Sequence, residues 1–178
     1  HQSGLLRQAR PILKEMVAEC DESAYIAIMR EGDVVYLDMV DTTKSIKVIS
    51  RVGLRVPAYC TAIGKAQLAY ESEDEIDRLY GGKPLQRFTK NTITEIEKLR
   101  SELSQVAAES VGIDNGEYEE EIKCVGVPIR DYTRRVVAGI CISAPSFRMS
   151  KDRIKKELTP LVKDAGMKIS MKLGYPGD

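Results

Sequence analysis

Ile122-Lys123-Cys124-Val125-Gly126-Val127-Pro128-Ile129 and Val136-Val137-Ala138-Gly139-Ile140-Cys141-Ile142-Ser143 decide the fold. Side chains alternate across a β-strand, so a period of two separates each stretch into two faces. In the second stretch Ala138, Ile140 and Ile142 share one face, and Gly139, Cys141 and Ser143 the other. In the first, Ile122, Cys124 and Gly126 alternate with Val125 and Val127 in the same manner. The short polar run Asp131 to Arg135 joins the two as an antiparallel hairpin. One face of this hairpin is apolar and belongs to a core. The other is small and weakly polar, and whatever covers it must leave no hydroxyl or thiol unsatisfied.

A second hairpin lies upstream, where Ala24 to Arg30 and Val34 to Thr42 are rich in strand formers and Glu31-Gly32-Asp33 supplies the turn. Ile46 to Val52 also alternates, with Ile46, Val48, Ser50 and Val52 opposed to Lys47, Ile49 and Arg51, and is expected to be a third strand with one solvated face. Leu5, Leu6, Ala9, Ile12, Leu13, Met16, Val17 and Cys20 recur at helical spacing, and Pro11 is expected to kink that helix or to separate Leu5 to Arg10 as a lead-in. Thr61 is an N-cap for a helix running from Ala62. Capping boxes at Ser72 with Glu75 and at Thr94 with Glu97 start two more, the second carrying Ile96, Leu99, Leu103 and Val106. Ser150 caps a closing helix with Ile154, Leu158, Leu161, Val162, Ala165 and Ile169. Strands gathered in hairpins, with helices between and outside them, predict an α+β fold, an antiparallel sheet flanked by helices.

The chain of 178 residues suits one domain. Lys and Arg total 27, as do Asp and Glu, so no net field draws it to nucleic acid or to an anionic membrane. The sequence has no run long and apolar enough to span a bilayer and no signal-peptide layout, which predicts a cytoplasmic protein without a membrane partner. Cys20, Cys60, Cys124 and Cys141 form no C-x-x-C pair, and the one histidine, His1, is terminal. Neither a multi-histidine metal centre nor an in-chain Cys-His pair can be built, so no catalytic residue, metal ligand or cofactor is expected. Gly64-Lys65 is no phosphate loop, since Gly53 is too far upstream and Ala66 stands where the metal-binding hydroxyl belongs. The acidic stretch Asp114, Glu117, Glu119, Glu120, Glu121 has the composition of a solvated loop and matches no calcium-loop spacing. Within it, Gly112-Ile113-Asp114-Asn115-Gly116 is a turn setting from which the Asp114 carboxylate can point inward.

Two features suit a ligand: the helix start Thr61 to Lys65, whose first N–H groups favour an anion, and the small-polar face with Cys124, Cys141 and Ser143. Each also has an ordinary reading, a capped helix and thiols packed beneath it.

In this order the elements resemble the effector-binding domain of the IclR family of bacterial transcription regulators. The resemblance rests on Pro57-Ala58-Tyr59-Cys60-Thr61-Ala62-Ile63-Gly64-Lys65-Ala66, on Gly112-Ile113-Asp114 followed by Glu117, Glu120, Cys124 and Pro128-Ile129-Arg130-Asp131, and on Ile140-Cys141-Ile142-Ser143-Ala144-Pro145 with Arg148. It implies a GAF/PAS-like domain over residues 21–178, preceded by a linker helix over 1–20 from a winged helix-turn-helix domain absent here. It further implies a small-molecule effector such as a carboxylate or sugar acid, assembly as a homodimer or homotetramer, and contact with DNA only through the absent domain. The ligand-binding residues carried over are Ala62, Ile63 and Gly64 at the helix start, Asp114 for a hydroxyl or hydrated carbonyl, and Cys124, Cys141 and Ser143 as the floor. Lys65 either touches the ligand or braces the helix.

Three positions depart from the pattern. Tyr59 stands where histidine is common, Glu121 where glycine is common, and Cys141 where serine is, giving a softer wall that disfavours a very small acid such as glyoxylate. The alternatives are a cysteine-dependent or redox enzyme on a GAF-like fold, using Cys124 or Cys60, and a module for oligomerisation alone.

Overall fold

A computed structural model describes residues 2–178; His1 lies outside the described residues. Both hairpins form where alternation places them. β1 (Ser23–Arg30) pairs with β2 (Asp33–Val40) around a turn in which Glu31 and Gly32 both take positive φ, as a tight two-residue connection requires. β5 (Ile122–Arg130) pairs with β6 (Val136–Pro145). β1 also pairs antiparallel with β6, fusing the hairpins, and the short strands β3 (Arg55–Pro57) and β4 (Gly112–Asn115) close the edges. The result is a six-stranded antiparallel sheet in the order β3-β2-β1-β6-β5-β4.

The sheet separates two cores. On one side α1 (Gln2–Cys20) and the closing helix bury Leu13, Met16, Val162 and Ile169 against Ala138, Ile140 and Ile142. The closing helix runs through α5 (Lys151–Arg153), a π-helical stretch (Ile154–Leu158) and α6 (Thr159–Lys172), and Ser150 caps it by accepting from Arg153 N at 3.0 Å. On the other side lie α2 (Ala62–Leu68), α3 (Glu73–Tyr80) and α4 (Ile96–Glu109), contributing Ile63, Leu68, Ile76, Leu99 and Leu103.

Four expectations need correction. Pro11 lies inside one 19-residue helix with no separate lead-in; the seven buried residues of α1 form a single stripe from Leu5 to Cys20. Ile46 to Val52 is not a strand. Ile46 and Ile49 are exposed, only Val48 and Arg51 of this stretch are buried, and the third strand comes after the positive-φ turn at Gly53. Thr94 caps nothing, because α4 starts behind Glu95 without a side-chain cap. Finally, Gly112 to Asn115 is a strand in which Gly112 and Asp114 face inward and Ile113 and Asn115 outward.

Candidate functional site

On the α2 side of the sheet the register aligns a polar row across four strands. Asp114 is opposite Cys124, Cys124 opposite Ser143, and Ser143 opposite Ser23. All four are buried, Asp114 completely. Cys124 Sγ donates to Ser143 Oγ at 3.1 Å, and Ser23 Oγ donates to Asp41 Oδ1 at 2.7 Å. The adjoining row runs Gly112, Gly126, Cys141, Tyr25.

Glycines there let α2 lie directly on the strands. A Cβ on Gly126 would come within 3.1 Å of the Ala62 backbone, and one on Gly112 within 2.8 Å of the Ala62 carbonyl oxygen. Thr61 Oγ1 accepts from Gly64 N at 2.9 Å and fixes the helix start, leaving the first-turn N–H groups of Ala62 and Ile63 without intrahelical acceptors. Gly64 serves the turn itself, since its missing Cβ would overlap the Ala58 backbone and Thr61 Oγ1.

Asp114 is the least satisfied group in the row. Its Oδ1 accepts from Glu117 N at 2.7 Å, but its Oδ2 is buried without a hydrogen-bond partner. Burial, then the neighbouring Cys124 and Glu117, push its carboxyl well above the usual aspartate range. Lys65, left open by sequence, is a brace. Its fully buried ammonium reaches Glu102 Oε2 at 2.6 Å, Glu117 Oε1 at 2.7 Å and the Ile113 carbonyl at 3.0 Å. Burial lowers its pKa, but the facing carboxylates Glu117 and Glu102 outweigh that and hold the charge.

Arg51 escaped the sequence reading, and only its place in the fold marks it out. The guanidinium is buried, with Nη1 donating to Tyr36 Oη at 3.2 Å and Nη2 to Glu119 Oε1 at 3.1 Å. Its charge acts on Cys124 and Cys60, opposing the rise that their surroundings impose. That rise wins. Hydrogen bonding with Cys141 that favours the protonated thiol, together with burial, holds Cys124 up, and burial does the same to Cys60, so neither is the accessible thiolate that a nucleophile requires. Open clefts lie elsewhere, among them one of about 550 Å³ between Leu5, Ile28, Tyr132 and Leu173, and one of about 410 Å³ beside Glu102, Ile113 and Glu117.

The family model "Bacterial transcriptional regulator IclR C-terminal" matches residues 1–171. The chain belongs to the IclR family. Its sequence is 36% identical over 171 residues to the HTH-type transcriptional regulator KdgR of Escherichia coli, covering 96% of this chain and 65% of that protein. The KdgR of Dickeya chrysanthemi is 33% identical over 171 residues, with 56% of its length covered. The chain thus spans less than two thirds of these relatives. Among solved structures, the C-terminal domain of E. coli KdgR superposes with a TM-score of 0.85 at 35% identity, covering 97% of this chain and 99% of that one. The Thermotoga maritima IclR superposes with a TM-score of 0.89 at 33% identity, covering 96% and 69%. The inducer-binding domain of PobR from Acinetobacter, solved as a complex with 3-hydroxy benzoic acid, shares the fold at 19% identity with a TM-score of 0.85, covering 92% and 96%. Like the Thermotoga maritima IclR domain, this one presents a helix-covered antiparallel sheet, and no described helix is long and apolar enough to cross a membrane.

Proposed function

We propose that this IclR-family domain senses a small organic acid bound between the start of α2 and the polar row. The carrying observation is Asp114, fully buried with one oxygen unpartnered, directly opposite Cys124. An unmet polar atom in a dry interior costs about 1–3 kcal/mol, which a ligand hydroxyl or hydrated carbonyl would recover. Ser143, Cys124 and Cys141 would form the floor, and the N–H groups of Ala62 and Ile63, held by the Gly64 turn, would face the ligand. The bound acid in PobR supports this as chemistry the fold accommodates.

In the whole protein, residues 1–20 would lead in from a winged helix-turn-helix domain, which would alone contact DNA in the cytoplasm. The domain would assemble as a homodimer or homotetramer, with ligand binding altering how paired DNA-binding domains sit. The high thiol pKa values of Cys60 and Cys124 favour sensing over thiol catalysis.

A thermal-shift screen of sugar acids, keto acids and hydroxybenzoates tests the reading. A ligand at a hundred times its Kd adds about 2.7 kcal/mol by mass action, or roughly 5–11 °C for a domain of this size. Asp114→Ala is expected to abolish the shift while the domain stays folded. A panel that leaves the wild-type melting temperature unmoved refutes an acid effector.

A further inference from the structure

Arg51 stands apart from the other buried ion pairs. Arg148 grips Glu22, whose side chain is wholly buried, at two points of one carboxylate, through Nε at 2.9 Å and Nη2 at 2.8 Å, and Arg153 adds Nη1 at 2.6 Å. Arg51 has the reverse arrangement. Its side chain is only 6% exposed, but its one carboxylate partner among the described residues, Glu119, is 46% exposed and touches a single nitrogen. A guanidinium presents a planar fork made for two parallel bonds to a carboxylate, whereas here Glu119, which solvent also holds, meets Nη2 alone and Nη1 rests on the neutral Tyr36 hydroxyl.

The fork is nevertheless fixed in place. Arg51 N donates to Tyr25 Oη at 3.2 Å, and Tyr25 Oη donates to the Ile49 carbonyl at 3.2 Å, tying the 42–54 loop to the sheet where the side chain leaves it. The guanidinium carbon lies 5.8 Å from the Tyr36 ring centre and 5.2 Å from that of Tyr118, within cation–π range of both. Tyr25 is paired with Cys141 in the row beside Asp114, Cys124 and Ser143. A preorganised cation therefore borders the proposed floor, held by a weak internal anion.

We infer that Arg51 receives the effector's carboxylate, exchanging Glu119 for the ligand. This rests on the sensing role proposed above and narrows it. The effector carries a carboxylate at the Arg51 end and a hydroxyl or hydrated carbonyl at the Asp114 end, and Glu119 is a built-in competitor.

Calorimetric titration of the wild-type domain with D-gluconate, pyruvate and 3-hydroxybenzoate, each beside its primary amide, tests both parts. The acid is expected to bind about tenfold or more tightly than the amide, the value of one charge-assisted contact. Arg51→Met should bring that ratio close to one, and Arg51→Lys should retain part of it, because the charge survives without the fork. Glu119→Gln should tighten acid binding several-fold and leave amide binding unchanged, which no purely structural role for Arg51 predicts. If Arg51→Met keeps the wild-type preference, or Glu119→Gln fails to strengthen acid binding, the assignment of Arg51 falls. Loss of binding in Asp114→Ala would still uphold the sensing site in that case. If none of the acids binds the wild type, both fall together.

Discussion

Asp114 carries a prediction in its own titration. An acid whose pKa is raised by folding keeps a proton that the unfolded chain releases above about pH 4. The domain therefore loses stability as pH rises from there toward the folded value, the opposite of the usual carboxylate behaviour. Asp21 shows the usual sense: hydrogen bonds from Thr43 N and from the Thr42 and Thr43 hydroxyls hold it down at about 2, so its contribution is present near neutrality and lost as pH falls toward that value. Asp114→Asn keeps the acceptor for Glu117 N and has no proton to retain. Calorimetric melting of variant and wild type is expected to give nearly equal temperatures at pH 4, with the variant pulling ahead by pH 8. A variant less stable than wild type at pH 8 would mean that Asp114 is ionised and paired in the folded chain.

Among the elements, α2 depends most on the absence of side chains. A methyl group at Gly64 would lie 2.3 Å from the Ala58 carbonyl oxygen and 2.5 Å from its Cα, a contact with backbone that cannot swing aside. Gly64→Ala should cost roughly 1–3 kcal/mol in urea unfolding, whereas Gly4→Ala, with nothing within 4 Å and a helical backbone, should be neutral or slightly stabilising. This dependence on close approach also explains what sequence could disclose. The β5–β6 hairpin was legible because one face of each strand is apolar and the other small, the β1–β2 hairpin from its strand formers and the Glu31-Gly32-Asp33 turn, and the Thr61, Ser72 and Ser150 caps because each accepts from the N–H three residues on. Asp114, Cys124 and Ser143 could be picked out by position, but their alignment in one row depends on strand register. Ile46 to Val52 misled because its alternation meets no partner strand; the Tyr25 hydroxyl, not a ladder, takes up its backbone groups. β4 was too short to show a period. Arg51 was invisible because the Tyr36 and Tyr118 rings that enclose it come from distant parts of the chain.

At the scale of the whole molecule, the sheet keeps the α1–α6 core and the proposed ligand site on opposite faces. α1 and α6 close one core on Ala138, Ile140 and Ile142, while Cys141 and Ser143 of the same strand face the candidate site. Leu13 sits in the first core, fully buried. Leu13→Ala removes packing without touching the polar row, and should cost about 2–5 kcal/mol, a fall in melting temperature of roughly 4–20 °C for a domain of this size. Affinity is a difference between two folded states, and the contacts of Leu13 are common to both unless α1 moves. The Kd for an acid bound by the wild type, measured well below the melting temperature of the variant, is therefore expected to change by less than about twofold, within the usual additivity error for uncoupled sites. A tenfold change would be a coupling of about 1.4 kcal/mol between the two faces. That outcome would mean that ligand binding repacks α1 against the sheet, and α1 would then carry the ligand signal through the sheet.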